Sequence, residues 1–359
     1  MNLVKQIIFI ILTPLYLFAE SNHPTIFKIG AILPLSGEAA SLGQAAKNGI
    51  EMSHQDLPLE LREKTKLIIE DDGLVTTRTV SAYRKLTSID KVNGLICWSS
   101  TACNAIAPLA EQAEIPLVAI ASDPSIARDK KYVVNFWVTP EEETKLALAE
   151  ALKRGYKKIA IVHSIQDGVI ACKDAFVAQN NGKIEIARTE GITADSKDFR
   201  TTVTKLRQIK DLDGILTLLM PGQIGVFAKQ VKQAGIKAPL FGYETLEDKG
   251  EVAASNGALI GAWFSTSRSG TPDFEKRYFE NFPGASIVTA NNAYDSLSLL
   301  SQGVKNDLSS KDLSKYLREL KDFNGASGTF SATGDNRFTL PAVLKVVESD
   351  GFKELYSSN

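Results

Sequence analysis

The sequence has 359 residues, of which 44% are hydrophobic and 23% are charged. At about 150 residues per domain, this length predicts two or three domains, and the composition excludes a disordered, collagen-like or coiled-coil chain. Lys and Arg number 41 against 42 Asp and Glu, which gives a net charge of −1. Such a balance provides no general attraction to nucleic acid or to an anionic membrane. We therefore expect no nucleic-acid partner and no stable membrane insertion.

The N-terminus has the pattern of a secretory signal peptide. Lys5 precedes an apolar run at positions 7–18, and Ala19 is a small residue at the expected cleavage point. The run is shorter than the ~20 residues that a membrane-spanning helix needs, so retention as an anchor is the less favoured alternative. No Cys follows the run, which argues against a lipid anchor at this point. The sequence predicts a cleaved signal peptide at 1–19 and a mature protein outside the cytoplasm.

The cysteines are too few for a disulfide scaffold. They are Cys97, Cys103 and Cys172, an odd number, so at least one thiol stays free. An oxidising compartment would allow a bridge between Cys97 and Cys103, although their spacing alone does not establish the geometry.

The first half of the mature chain alternates short β-branched runs with amphipathic segments, which is typical of βαβ units on a parallel sheet. The pattern predicts strands at 27–33, 66–71, 93–98, 116–121 and 132–138, and helices at 42–55, 76–88 and 104–113.

The same alternation restarts after Pro140. It predicts helices at 141–154, 168–179, 199–210 and 222–234, and strands at 158–163, 183–189, 214–219, 239–241 and 259–265. The rest is mostly helical, with helices at 272–281, 289–304 and 313–321 and a strand at 343–348. Because this tail has too few strands for a third sheet, we expect its elements to join two doubly wound α/β units.

The common catalytic and cofactor motifs are missing. The sequence has no G-x-G-x-x-G after the first strand, no phosphate-binding loop, no H-E-x-x-H, no C-x-x-C and no G-x-S-x-G. We therefore expect no cofactor and no metal site, and the sequence disfavours an enzyme.

Polar loops follow three of the predicted strands, at the sheet edge where ligands bind in open α/β folds. Trp98-Ser99-Ser100-Thr101 leads into a helix, whose free N–H groups and hydroxyls suit a carboxylate. Simple capping of the helix is the alternative. Ala121-Ser122-Asp123-Pro124 offers carbonyls and a carboxylate to an ammonium, or forms only a turn. Gly242-Tyr243-Glu244 adds an acid and a ring, with a solvated loop acid as the alternative.

Six stretches carry a resemblance to a known family. They are FKIGAILPLSG at 27–37, EDD at 70–72, SSTACNAIAPLAEQAEIP at 99–116, KIAIVH at 158–163, GITADSKDFRTTVTKL at 191–206 and QAGIKAPLFGY at 233–243. Together and in order they resemble the periplasmic branched-chain amino-acid binding proteins, the substrate-capturing subunits of ABC importers. The resemblance covers nearly the whole mature chain.

The resemblance implies an α/β fold of two Rossmann-like lobes, joined by three hinge crossings, that close over a ligand. The N-terminal lobe would comprise 20–139 plus 266–340, and the C-terminal lobe 140–265 plus 341–359. It also implies a periplasmic location and a permease of the ABC type in the inner membrane as partner.

The family's binding residues transfer only in part. Ser100 falls where a hydroxyl holds the ligand's α-carboxylate, Ala121 where a carbonyl accepts from the α-ammonium, and Glu244 where an acid pairs with that ammonium. Asp123 departs from the Thr that is common there, and its charge would repel a ligand carboxylate. Leu42 and Met220 stand where aromatic rings often line the pocket.

The resulting prediction is a binding protein for an amino acid or a related small amine or amide. Its ligand would contact Trp98, Ser99, Ser122 and Tyr243 besides the residues named above. One alternative is a sensor that reports its ligand to a signalling partner instead of a transporter. Another is a hydrolase that uses Asp123 and Glu244.

Overall fold

The computed structural model describes residues 26–193 and 195–357. The predicted signal peptide at 1–19 lies outside the described residues. Two large sheets organise the rest, and each is covered by helices.

The first sheet is parallel and has the strand order β2-β1-β3-β4-β5. Its strands are β1 (Phe27–Leu33), β2 (Thr65–Asp71), β3 (Gly94–Trp98), β4 (Leu117–Ile120) and β5 (Val133–Asn135). The chain winds outward from β1 to β2 and then returns to the other side of β1 with β3. The carboxyl ends of β1 and β3 therefore border a topological switch point, where ligands bind in such sheets.

The second sheet has the order β14-β13-β10-β9-β8-β6-β7. Its strands are β6 (Lys158–Ser164), β7 (Glu185–Ile192), β8 (Gly214–Leu218), β9 (Leu240–Gly242), β10 (Trp263–Ser267), β13 (Ala342–Val347) and β14 (Phe352–Ser357). The strands β13 and β14 are antiparallel to their neighbours, and the others are parallel. The strands β11 (Phe323–Gly325) and β12 (Gly328–Phe330) form a separate hairpin.

The helices cover both sheets. They are α1 (Ala40–Asp56), α2 (Leu59–Lys64), α3 (Thr76–Arg84), α4 (Ser100–Gln112), α5 (Pro140–Lys153), α6 (Asp167–Asn180), α7 (Arg200–Arg207), α8 (Ile224–Gln233), α9 (Lys249–Ala254), α10 (Pro272–Asn281), α11 (Ala290–Leu300), α12 (Gln302–Lys305) and α13 (Ser310–Arg318). None of them, within the described ranges, combines the length and apolar character that crossing a bilayer requires.

The chain passes between the two sheets three times, after β5, after β10 and after β12. After the second passage α11 packs against α1 and contacts β3, while α13 contacts β5. The third passage brings β13 back to pair with β10. The predicted fold class is therefore confirmed: two doubly wound lobes share a discontinuous chain, and the helical tail completes both.

The structure contains α2, α9 and the hairpin of β11 and β12, which were not predicted. Two further differences have a physical reason. The strand predicted from 259 begins only at Trp263, because Gly257 and Gly261 adopt positive φ angles of 75° and 86° and the chain turns there. The edge strand β14 was not predicted, since its side chains are mostly half-buried or exposed.

The two cysteines for which a bridge was considered are free thiols. Cys97 lies in β3 and Cys103 in α4, and both are fully buried in the first lobe. Burial in apolar surroundings, a hydrogen bond with Cys97 and its negative field raise the pKa of the Cys103 thiol. Both cysteines therefore act as small core residues in this structure.

The interface between α1 and α11 depends on a close approach at Gly49. A Cβ atom added to Gly49 would lie 2.0 Å from the backbone O of Ala290, which no side-chain movement can relieve. Glycine is therefore required here by packing, since the two helices would have to separate to admit a methyl group.

We expect Gly49→Ala to lower the free energy of unfolding by roughly 1–3 kcal/mol, the usual cost of overpacking. Lys47→Ala, on the outer side of the same helix, removes only an ion pair of 3.7 Å with Glu51 and should cost less than about 1 kcal/mol. Urea denaturation of both variants measures this difference, and equal stabilities would contradict the packing argument.

Candidate ligand-binding site

A cavity lies between the lobes, at the carboxyl ends of strands from both sheets. The first lobe contributes the loops after β3 and β4, and the second lobe those after β6, β8 and β9. The space between its walls is about 620 Å³, counting the part open to solvent.

Most of the residues predicted for the site line this cavity. They are Leu42, Trp98, Ser99, Ser100, Ala121, Ser122, Met220 and Glu244. Thr101, from the same predicted polar loop as Ser99 and Ser100, also lines it. The other lining residues were not predicted as ligand contacts: Ile120, Trp137, Gln166, Gly168, Val169, Thr245, Val288 and Thr289. The predicted residues Asp123 and Tyr243 are not among the lining residues.

The start of α4 forms one wall of the cavity. Ser99 has φ 83° and ψ 138°, a backbone conformation that is unusual for a non-glycine residue, and its side chain makes no capping hydrogen bond. This turn brings the first residues of α4 to the cavity, where the N–H groups of a first helical turn lack intrahelical acceptors. The wall therefore offers hydrogen-bond donors and the positive end of a helix dipole.

Ser100 connects two loops of the first lobe. Its Oγ accepts a hydrogen bond of 3.1 Å from the backbone N of Asp123. A hydroxyl that accepts in this way keeps its own O–H free to donate. Ser100 can thus donate to a ligand anion while the Asp123 N–H fixes its orientation.

The second lobe approaches the same point through the start of α6. A Cβ atom on Gly168 would lie 2.6 Å from Oγ of Ser100, so a side chain at this position would have to displace the Ser100 hydroxyl. Beside it, Oδ2 of Asp167 accepts a hydrogen bond of 3.0 Å from Nδ2 of Asn104 across the cleft. The lobes are consequently closed against each other at this edge of the cavity.

Other polar contacts also bridge the lobes. Oγ of Ser41 donates to Oδ2 of Asp248 at 2.9 Å, and Lys197 forms an ion pair with Glu38. These groups join the beginning of α1 to loops of the second lobe. They show a closed arrangement of the clamshell.

Glu244 is the acidic hydrogen-bond acceptor that lines the cavity. Its Oε1 lies 3.4 Å from Oγ of Ser122 in the opposite lobe, whereas its Oε2 is buried and has no hydrogen-bond partner among the described residues. Burial raises the pKa of Glu244. No cation of the described chain acts on this carboxyl group, so it suits a cationic or N–H-bearing group of a ligand.

Behind Glu244 lies a second acid, Glu143, which the sequence analysis did not identify. Its side chain in α5 is fully buried, and neither of its carboxyl oxygens has a hydrogen-bond partner in the described structure. Burial and the negative field of Glu244 raise the pKa of Glu143 well above its usual range. The two carboxyl groups form a buried acidic pair, of which Glu244 faces the cavity.

Tyr243 and Asp123 have structural roles that the sequence did not reveal. The Tyr243 hydroxyl forms a hydrogen bond of 2.7 Å with Oγ1 of Thr144, and its ring is buried in the core. Oδ1 of Asp123 accepts from the backbone N of Ser125 at 2.8 Å, and Oδ2 accepts from Nδ2 of Asn104 at 2.8 Å. These bonds hold the Asp123 carboxylate in its own turn.

The position of Asp123 bears on two predictions. Both oxygens of its carboxylate accept hydrogen bonds within the first lobe, and Asp123 does not line the cavity. The predicted repulsion between Asp123 and a ligand carboxylate therefore does not arise from direct contact. The hydrolase alternative also needs Asp123 and Glu244 on one substrate, and only Glu244 lines the cavity.

Trp137 is a further residue that sequence reasoning missed. It follows β5 at the first passage between lobes and is 5% exposed, and its Nε1 lacks a hydrogen-bond partner within the described chain. Buried indole N–H groups usually have an acceptor, so this donor is available to a ligand. The only signal in the sequence was an aromatic residue at a strand end.

The rest of the lining is apolar or neutral. Leu42, Trp98, Met220, Val169 and Val288 provide hydrophobic walls, and no Lys, Arg or His of residues 26–193 and 195–357 lines the cavity. In the described part of the chain, no cluster of His, Cys, Asp and Glu could hold a metal ion. The arrangement can enclose a small molecule with an apolar body.

Comparisons with known proteins agree with this geometry. A family model described as periplasmic binding protein matches residues 26–351. The Leu/Ile/Val-binding protein homolog 3 of Brucella melitensis is 26% identical over 340 residues, which is 89% of this chain and 90% of that protein.

Solved structures share the fold at low sequence identity. The substrate-binding protein LivJ of Streptococcus pneumoniae, in complex with isoleucine, has a TM-score of 0.82 and 20% identity, covering 93% of this chain and 99% of that one. A solute-binding protein of an ABC transporter from Rhodopseudomonas palustris, in complex with 3,4-dihydroxybenzoic acid, has a TM-score of 0.81 and 22% identity, covering 93% and 98%. With a family match that spans most of its length, this chain belongs to the periplasmic binding protein family.

Proposed function

We propose that this protein captures an amino acid, or a related small amine or amide, between its two lobes and delivers it to an ABC importer. The family consists of solute-binding proteins, and the relatives include proteins named for leucine, isoleucine and valine. The observation that carries the ligand class is Glu244, a buried acid on which no cation of the described chain acts and which lines a cavity that also contains the start of α4.

The cavity suits both charged groups of an α-amino acid. Glu244 and the backbone O of Ala121 would accept hydrogen bonds from the α-ammonium, while Ser100 and the first N–H groups of α4 would donate to the α-carboxylate. Each charge-assisted hydrogen bond contributes about 1.5–3 kcal/mol. Two or three of them, together with the apolar walls, are sufficient for micromolar affinity, which corresponds to ~8 kcal/mol.

An aromatic acid, such as the ligand of the Rhodopseudomonas palustris protein, fits this cavity less well. The ring would pack against Trp98 and Trp137, and its carboxylate could meet the start of α4. However, a ligand without a cationic group would leave the buried carboxylate of Glu244 without a positive charge beside it, which is costly.

Lobe boundaries, cellular location and transport partner follow from the same function. We propose lobe boundaries at 139/140, 265/266 and 340/341, which fall near the three passages of the chain between sheets. We also propose a periplasmic protein, released from its signal peptide at 1–19, that docks on an inner-membrane permease. Reporting to a sensor instead of a permease is the alternative, and genes for permease and ATPase subunits beside this gene would decide against it.

Calorimetric titration with the twenty amino acids, simple amides and 4-hydroxybenzoate tests the ligand class. We expect micromolar binding of at least one amino acid or amide. Glu244→Gln should weaken that binding more than tenfold, because the ligand's cation loses its anionic partner. Glu141→Gln removes an exposed charge of α5 outside the cavity and should leave the affinity within twofold. Binding of 4-hydroxybenzoate alone would contradict the proposal.

Trp137→Phe tests the indole N–H as a ligand contact. The variant keeps an aromatic wall and removes only the donor, so we expect the dissociation constant to rise by roughly three- to tenfold, as for one lost hydrogen bond. The melting temperature of the empty protein should change little, since the N–H has no protein acceptor to lose. An unchanged dissociation constant for the amino acid would show that the N–H does not contact the ligand.

A further inference from the structure

The proposed contacts with the ligand do not explain why the acid Glu143 is buried. It is fully buried in the first turn of α5, and both carboxyl oxygens lack hydrogen-bond partners in the described chain. An ionised carboxylate without partners in such a position would cost several kcal/mol. The site therefore favours the uncharged form of this acid.

The groups around Glu143 supply no positive charge. Glu244, after β9, acts on it as a negative charge, and Tyr243 and Cys172 are the other titratable groups that interact with it. Burial raises the pKa values of Tyr243 and Cys172, so both are neutral. The more distant Glu141 and Asp123, which act on Cys172, are also acidic. With acids and neutral groups only, a proton is the remaining means of neutralising Glu143.

A protonated Glu143 carries an O–H that needs an acceptor. Oε2 of Glu244 is buried, has no partner of its own, and belongs to the one acid that interacts with Glu143. Tyr243 already forms its hydrogen bond with Thr144. Glu244 is thus the acceptor within reach, and an O–H donated to a carboxylate stabilises its ionised form.

We propose that Glu143 is a positioning residue of the ligand site, which as an uncharged acid donates its O–H to Glu244 and so keeps Glu244 the anion that receives a ligand ammonium. This inference rests on the proposed function and refines its ligand class. The buried pair carries one negative charge, which favours a ligand with a single ammonium at this point over an acid without one. Glu143 itself does not touch the ligand.

Two variants separate this role from a direct contact. Glu143→Gln is uncharged and keeps an N–H donor, whereas Glu143→Leu has a similar size and no donor. With L-leucine as the probe, we expect Glu143→Gln to bind within threefold of the original protein and Glu143→Leu to bind at least tenfold more weakly. Circular dichroism of each variant confirms that it is folded.

Two results of the titration would overturn the inference. A loss of more than tenfold in Glu143→Gln would mean that Glu143 is an anion that meets the ligand itself. Leucine affinity unchanged in Glu143→Leu would mean that Glu143 does not influence Glu244. If the original protein binds none of the amino acids or amides, the proposed function fails, and the measurement below still tests the protonation of Glu143.

The empty protein provides that second readout. In the unfolded chain Glu143 ionises near pH 4.3, whereas in the folded protein it stays protonated to higher pH. The folded state then binds more protons, so this residue lowers stability progressively as pH rises above about 4.3. Glu143→Gln removes the penalty. We expect the melting temperature of Glu143→Gln to exceed that of the original protein by more at pH 8 than at pH 5. An equal or smaller difference at pH 8 would contradict the inference that Glu143 is uncharged in the folded protein.

Discussion

The cost of burying carboxyl groups between the lobes governs this structure. Glu244 lines the cavity between the lobes, and Glu143 stands behind it, fully buried. Water would solvate Glu244 if the lobes separated, whereas closure removes that water. A ligand cation offsets the cost only in the closed form. Binding energy is therefore concentrated where it distinguishes closed from open protein, as a population shift requires.

The contacts that hold the lobes together are comparatively weak. Ser41 with Asp248 and Asn104 with Asp167 are single hydrogen bonds, and Lys197 with Glu38 is an exposed ion pair. Exposed pairs of this kind contribute about 0–1 kcal/mol. Open and closed forms can consequently lie within a few kcal/mol of each other, so that a small ligand decides between them. Gly168 lets the lobes close without displacing the Ser100 hydroxyl.

The sequence was sufficient for the fold and for the loops of the site, because both follow from local patterns. Strand β1 has the predicted bounds, and Ser100 and Glu244 meet in one cavity since each follows a strand of a parallel sheet. Glu143 was missed because it is one of three consecutive acids in a first helical turn, a pattern that normally faces solvent. Asp123 was assigned to the ligand because a sequence does not show that a carboxylate caps its own turn.

The three passages between sheets have a consequence for how the polypeptide matures. The first sheet is complete once β5 has been made, yet the helices α11 and α13, which contact its strands, come from residues 290–318, after most of the second sheet. More than half of the chain must therefore be synthesised before either lobe can be completed. Neither lobe consists of one contiguous segment, so the early strands expose apolar surface until the later segments arrive, which favours aggregation during folding.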